Sequence, residues 1–167
     1  MTTATIRPAK TEDLTAVWDI LKPIFRAGET YGVDPDISRA RALEYWAGGD
    51  HSCFVAELDH KILATYFLCP NGAGGARFVC NCGFATSAGA QGLGLARLML
   101  KESQQIARAK GYYAMQFNFV VTTNARAIDI WTRDGFETVG RLPAAFEHPT
   151  AGFVDALIMF KNLGDLS

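Results

Sequence analysis

The chain has 167 residues, 49% of them apolar, and a formal net charge of −1, which suits one domain, residues 1–167, with a sizeable core. So little net charge argues against a general nucleic-acid binder, which needs a basic face to neutralise phosphates. With no signal-peptide pattern and no apolar run of about 18 residues, we expect a cytoplasmic protein with neither nucleic acid nor a membrane as partner.

The first part of the chain predicts a strand, two helices and a hairpin. In chain order these are Ala4–Arg7, Thr11–Ala27, Ile37–Trp46, and Ser52–Leu58 paired with Lys61–Leu68. The helices follow from apolar residues at every third or fourth position. Pro23 lies inside the first helix and predicts a kink or an early break there.

The rest of the chain alternates strands with helices. The predicted elements are a strand at Arg77–Thr86, a helix at Leu95–Ala109, a strand at Tyr112–Val121, a helix at Asn124–Arg133, and an antiparallel pair of Phe136–Leu142 with Phe153–Lys161. We interpret the segment between Pro143 and Pro149 as a surface loop. This order predicts an α/β fold in which a mixed sheet is flanked by helices.

The segment Thr86–Arg97, TSAGAQGLGLAR, carries three glycines between an apolar strand and a helix-forming run. Glycine lets the backbone approach a ligand closely, and a helix N-terminus offers unpaired N–H groups and a positive dipole end. The segment therefore predicts a phosphate or pyrophosphate site, with an ordinary strand–turn–helix junction as the alternative. The spacing excludes both the dinucleotide-binding pattern and the P-loop.

A second motif lies about thirty residues further on, at Asn124–Phe136, NARAIDIWTRDGF. Asn124 suits a helix N-cap, and Gly135 suits the C-terminal end of the same helix. Together with Gln91-x-x-Gly94-x-Ala96, this motif resembles the GNAT superfamily of N-acetyltransferases, which shares both patterns in this order. The specific matches run from about Phe84 to Phe136, and the element order matches over the whole chain.

The resemblance implies a GNAT fold, with a central, mostly antiparallel sheet, and acetyl-CoA as the cosubstrate. In that family the strand before the glycine loop and the strand after the following helix splay apart, and pantetheine lies between them. Homodimers are common in this fold, although no residue pattern in this chain indicates one. The implied cofactor-binding residues are Phe84, Ala85, Thr86, Gln91, Gly92, Leu93, Gly94, Leu95, Ala96, Arg97, Asn124 and Trp131.

The chain departs from the family at the groups that move protons. Trp131 stands where most relatives have a tyrosine proposed to protonate the leaving thiolate, and an indole N–H is too weak an acid for that role. Trp131 either packs against the cofactor or fills the core. Arg77–Thr86 contains no carboxylate base, which leaves Asp155, Glu147 and His148 as candidates, with Asp155 our choice.

We expect no metal site. Cys80-Asn-Cys82 has the spacing of two ligands, but no second Cys/His pair accompanies it. On a strand the two cysteines point to the same face, where they are expected to pack as small apolar residues.

Asn118 interrupts an otherwise apolar predicted strand. One interpretation is a hydrogen-bonded core amide, because an unpaired buried amide costs several kcal/mol. The other comes from a closer similarity to the fungal azetidine-2-carboxylate N-acetyltransferases, carried by the run F-N-x-V, Thr-Asn, Ile-Trp and Gly-Phe. In those enzymes an asparagine on this strand handles the substrate, so Asn118 becomes a catalytic and substrate-binding candidate. Glu29 and Tyr31, in the loop between the first two helices, are further acceptor candidates.

We therefore expect an acetyl-CoA-dependent N-acetyltransferase that works by direct attack of a small-molecule amine. The acceptor class expected is an amino acid or a toxic amino-acid analogue. The alternatives are a protein acetyltransferase acting on an N-terminus or a lysine, and a non-catalytic acyl-CoA-binding sensor.

Overall fold

A computed structural model describes residues 4–164, which form one seven-stranded sheet and four α-helices. The strands are β1 Thr5–Pro8, β2 Ser52–Leu58, β3 Lys61–Pro70, β4 Val79–Thr86, β5 Ala114–Val121, β6 Glu137–His148 and β7 Gly152–Asn162. The helices are α1 Leu14–Ala27, α2 Arg39–Ala47, α3 Leu95–Ala109 and α4 Ala125–Arg133. Over the same residues, no helix has the length and apolar character needed to cross a membrane.

The sheet has the strand order β1-β2-β3-β4-β5-β7-β6. Neighbouring strands are antiparallel except for β4 and β5, which run parallel. A helical crossover, α3, joins this parallel pair, as a parallel connection requires. The predicted mixed, mostly antiparallel sheet is confirmed.

Helices cover both faces of the sheet. On one face α1 and α2 pack on β2 and β3 around Phe25, Trp46 and Phe67. On the other face α3 and α4 pack on β4 and β5 around Met99, Met115 and Trp131. β3 is therefore buried along its centre, whereas β5 keeps exposed residues at Asn118 and Phe119.

Two predictions about elements are wrong. The early break expected at Pro23 does not occur, because α1 continues to Ala27 and is capped by Gly28, which adopts a left-handed φ of 65°. Pro23 is solvent-exposed, and apolar contacts at Leu21 and Phe25 hold the turns on either side of it. The missing N–H is thus outweighed by packing.

The second error concerns the segment between Pro143 and Pro149, which is not a loop. β6 continues to His148, with an irregularity between Leu142 and Phe146. Phe146 is buried opposite Val154 of β7, so one apolar side chain returns the strand to the sheet. Two prolines and several polar residues favour a loop in this segment, and the local sequence does not indicate that Phe146 is buried.

Candidate functional site

A gap opens in the middle of the sheet between β4 and β5. Val79 pairs with Ala114 and Cys80 pairs with Met115, and the described strands pair no further. Beyond these pairs the two strands diverge. This agrees with the splayed strands implied by the sequence motifs.

The backbone of β4 turns unpaired polar groups toward this gap. The N–H of Ser87 donates to the carbonyl of Leu63 on β3 over 2.8 Å. Because successive residues point their backbone groups to opposite edges of a strand, Phe84 and Thr86 face the gap. The Phe84 carbonyl accepts a hydrogen bond from the Tyr31 hydroxyl, which leaves the Phe84 N–H without a strand partner.

The glycine loop follows β4 and leads into α3. Gly92 and Gly94 have φ values of 87° and 76°, which glycine adopts without strain. Within residues 4–164, no hydrogen bond uses the backbone N–H of Gly92 or those of the four residues from Gly94 to Arg97. An anion bound here would meet several free donors and the positive end of a 15-residue helix.

The loop borders a cleft of about 760 Å³, here called the loop cleft. One wall comes from the glycine loop and the start of α3, a second from α1, and a third from α4. Eleven of the twelve predicted cofactor residues line it; Leu93, more than half exposed, does not. The cleft wall thus includes Phe84, Ala85, Thr86, Gln91, Gly92, Gly94, Leu95, Ala96, Arg97, Asn124 and Trp131.

A second cavity of about 500 Å³ adjoins the loop cleft. The two share wall residues at the gap, among them Tyr31, Cys82 and Phe117. None of the described residues lining the second cavity carries a charge. Its full lining is Thr30, Tyr31, Gly32, Tyr45, Phe67, Asn81, Cys82, Gly83, Phe117, Asn118 and Phe119.

Asn118 lines the second cavity from β5, at a bulge in that strand. Phe117 pairs with Met159 and Val120 with Leu157, so β5 has one residue more than β7 over this interval. Asn118 is exposed, and its amide donates to Asn71 over 2.6 Å and accepts from Gln116 over 2.9 Å. The core-amide interpretation is therefore wrong.

Trp131 is held in an aromatic cage beside the gap. Its ring lies 5.2 Å from that of Phe84 and 5.1 Å from that of Phe117. The residue is 7% exposed and lines the loop cleft. Within residues 4–164 its indole N–H donates no hydrogen bond to the protein, although it is capable of donating one.

The three candidates for a general base, Asp155, Glu147 and His148, lie outside both cavities. Asp155 on β7 accepts from Arg141 over 2.5 Å and from the Ala144 N–H over 2.8 Å, and these two contacts lower the pKa of its carboxyl. His148 caps the β6–β7 turn by accepting from the N–H groups of Thr150 and Ala151. Neither these two residues nor Glu147 line the loop cleft or the second cavity. This arrangement gives Asp155 and His148 structural tasks and does not favour the predicted catalytic role of Asp155.

Of the two acceptor candidates in the loop between α1 and α2, Glu29 is exposed at the loop cleft and Tyr31 is part-buried in the walls of both cavities. The Tyr31 ring packs edge-on against Phe25 and Trp46 at 5.5 Å and 5.7 Å. Its hydroxyl lies 2.5 Å from the carbonyl oxygen of Phe84. Burial raises the pKa of Tyr31.

Several cavity residues were not found from the sequence. Asn81 lies on β4 and Phe119 on β5, and both line the second cavity, while Tyr45 reaches it from α2. Strand alternation would have grouped Asn81 with Gly83 on one face of β4. No sequence signal locates Phe119, because the bulge changes the alternation of β5 at that point.

Cys82 is buried in the wall shared by the two cavities. Burial, and then the neighbouring Cys80, raise the pKa of its thiol well above the usual range. The thiol is therefore protonated at neutral pH and is a poor nucleophile.

Known proteins share this architecture. A GCN5-related N-acetyltransferase from Kribbella flavida is 32% identical, with 95% of this chain and 97% of that chain aligned at a TM-score of 0.90. The N-acetyltransferase aca1 of Schizosaccharomyces pombe is 26% identical over 158 residues, 83% of this chain and 76% of that protein. A phosphinothricin acetyltransferase from Sinorhizobium meliloti, solved in complex with AcCoA, aligns over 98% of this chain and 90% of its own at 21% identity and a TM-score of 0.85.

A splayed parallel strand pair beside a glycine loop at a helix N-terminus defines an acyltransferase fold. The model of the acetyltransferase (GNAT) family matches residues 14–136. The chain belongs to this family and is an acyltransferase.

Proposed function

We propose that this protein is an acetyl-CoA-dependent N-acetyltransferase that acts on the amine of a small molecule. The observation that carries the proposal is the meeting of two cavities at the gap between β4 and β5. One cavity has the free backbone donors that a pyrophosphate requires. The other is an uncharged chamber of a size typical for small ligands.

Acetyl-CoA fits the loop cleft by its chemistry. The N–H groups from Gly94 to Arg97 would bind the pyrophosphate, and the gap-facing groups of Thr86 would pair with the pantetheine amides. The N–H of Phe84 would then donate to the thioester oxygen, where negative charge develops during transfer. Relatives from Sinorhizobium meliloti and Salmonella typhimurium have been solved with acetyl-CoA, which supports this assignment.

The transfer proceeds by direct attack. The nitrogen lone pair of the acceptor forms the C–N bond, the C–S bond breaks with its electron pair going to sulfur, and the proton lost from nitrogen balances the one that the thiolate takes up. Cys82 supports this route because burial raises the pKa of its thiol, and a protonated thiol is a poor nucleophile for an acyl-enzyme. Most of the rate enhancement then comes from positioning and from preorganised N–H donors.

The acceptor is an amine with a compact body, such as an amino acid or an amino-acid analogue. The second cavity supports this class because it has no carboxylate to accompany a second ammonium group, so a polyamine or a lysine-containing peptide would lose hydration without compensation. Its polar groups are amides and hydroxyls, including Asn118, Asn81 and Thr30. Such groups hydrogen-bond a carboxylate as well as a neutral substituent.

The test is thiol release from acetyl-CoA with a panel of proline analogues, amino acids, polyamines, aminoglycosides and short peptides. We expect turnover with compact monoamines and none with polyamines. Preference for peptides would favour a protein acetyltransferase instead. Binding of acetyl-CoA by calorimetry without turnover of any amine would favour a sensor and contradict the proposed function.

A further inference from the structure

Tyr31 lies in the loop between α1 and α2 and contacts β4 through the 2.5 Å hydrogen bond from its hydroxyl to the Phe84 carbonyl. The same side chain lines both cavities. It therefore stands between the thioester site and the acceptor site.

The hydrogen-bonding capacity of this hydroxyl is fixed by its partner. A carbonyl oxygen only accepts, so the Tyr31 proton is committed to Phe84 and the hydroxyl offers only its oxygen lone pairs to a ligand. Burial keeps the phenol neutral at ordinary pH. The edge-on contacts with Phe25 and Trp46 hold the ring, so the direction of these lone pairs is set before any ligand binds.

We propose that the Tyr31 hydroxyl accepts a hydrogen bond from the acceptor's N–H and so selects amines and directs the nitrogen lone pair at the thioester carbon. This inference rests on the proposed function and adds a specificity device to it. An attacking amine needs its lone pair aimed at the carbonyl carbon and its N–H directed at an acceptor. Phe84 serves both partners, because its carbonyl accepts from Tyr31 and its N–H at the gap would donate to the thioester oxygen.

The test compares Tyr31→Phe with Tyr66→Phe. Tyr31→Phe keeps the ring packed against Phe25 and Trp46 and removes only the hydroxyl. Tyr66 is the matched control because its buried hydroxyl has no hydrogen-bond partner and its ring packs against Phe84 at 5.7 Å, outside both cavity linings. We expect Tyr31→Phe to lower kcat/KM for the acceptor about tenfold or more, and Tyr66→Phe to change it less than about twofold.

A binding measurement separates this role from a merely structural one. The probes are azetidine-2-carboxylate and oxetane-2-carboxylate, in which a ring oxygen replaces the N–H, each titrated by calorimetry into the protein with bound CoA. The wild-type protein is expected to prefer the amine, and Tyr31→Phe is expected to lose that preference. If Tyr31 only held the loop in position, its loss would weaken both probes equally.

The inference is overturned if Tyr31→Phe retains the wild-type kcat/KM, if its affinity for acetyl-CoA falls in parallel with its activity, or if the wild-type protein does not discriminate between the probes. These results leave the proposed function intact as long as the wild-type protein turns over an amine. A wild-type protein that turns over no amine contradicts the proposed function itself.

Discussion

The two cavities at the gap differ in the kind of polar group that each offers to a ligand. The polar groups that the loop cleft offers to an anion are backbone N–H groups, from Gly94 to Arg97 at the start of α3. The second cavity presents side chains, and its polar groups come from four separate segments, represented by Thr30, Tyr45, Asn81 and Asn118. A backbone site depends on where glycines allow a turn, whereas a side-chain site depends on the identity of every wall residue. The first suits a cosubstrate common to a family and the second suits an acceptor particular to one protein.

The largest effect is expected from Gly94→Trp. The substitution forces a bulky residue into a φ of 76° and fills the space next to the free donors. We expect the Kd for acetyl-CoA to rise at least ~100-fold, which corresponds to about 2.7 kcal/mol, as measured by calorimetry. Gly111→Trp is the control, because Gly111 has a similar φ of 87° at the opposite end of α3 and also lies in open space. Micromolar binding by Gly94→Trp would show that the anion site is elsewhere.

Asn118→Ala tests the role of the second cavity, which this side chain lines. The side-chain amide has hydrogen-bonding capacity beyond its bonds to Asn71 and Gln116, so its loss should affect the acceptor and not the cosubstrate. We expect kcat/KM for the acceptor to fall about tenfold with the affinity for acetyl-CoA unchanged. Asn71→Ala removes the same internal hydrogen bond from outside the cavity lining. An equal loss of activity in both variants would mean that Asn118 serves only the local fold.

The difference between the two cavities also explains what the sequence predicts well. Gly94 and Asn124 act on the backbone next to them. Gly94 adopts a left-handed turn, and the Asn124 side chain caps α4 by accepting from the Ala127 N–H at 3.4 Å. Such preferences involve only a few neighbouring residues, so the glycine loop and the starts of α3 and α4 can be predicted from the local sequence. The mixed sheet flanked by helices follows in turn from the alternation of elements.

The second cavity follows from contacts between segments far apart in the chain. The bulge at Asn118 depends on the register between β5 and β7, and Tyr31 meets Phe84 across 53 positions. A single sequence contains no local signal for either contact. The same limit produced the error at Phe146, whose burial depends on β7.

Trp131→Phe probes the wall of the loop cleft beside the gap. The substitution keeps an aromatic ring near Phe84 and Phe117 and removes the indole N–H. If that N–H only donates a hydrogen bond to the cosubstrate, its loss is worth about 1 kcal/mol, and kcat should fall roughly fivefold. Thermal unfolding of the variant separates this effect from loss of packing. A decrease beyond about 100-fold with unchanged stability would contradict a role limited to one hydrogen bond.

Asp155→Asn should have the smallest effect on turnover, within about twofold, because the carboxylate is engaged by Ala144 and Arg141 away from both cavities. The substitution should instead lower the thermal stability of the protein, by an amount that depends on pH.

The Ala144 N–H, and then Arg141, lower the pKa of Asp155 below its ordinary value of 3.8. A carboxyl with a lowered folded-state pKa stabilises the fold above that ordinary value and loses the contribution as the pH falls through the folded-state pKa. Thermal unfolding from about pH 3 to pH 7 should therefore show the variant less stable near neutrality, with the difference shrinking only as the pH falls below 3.8. Turnover that collapses while stability and acetyl-CoA affinity are unchanged would restore Asp155 as the general base.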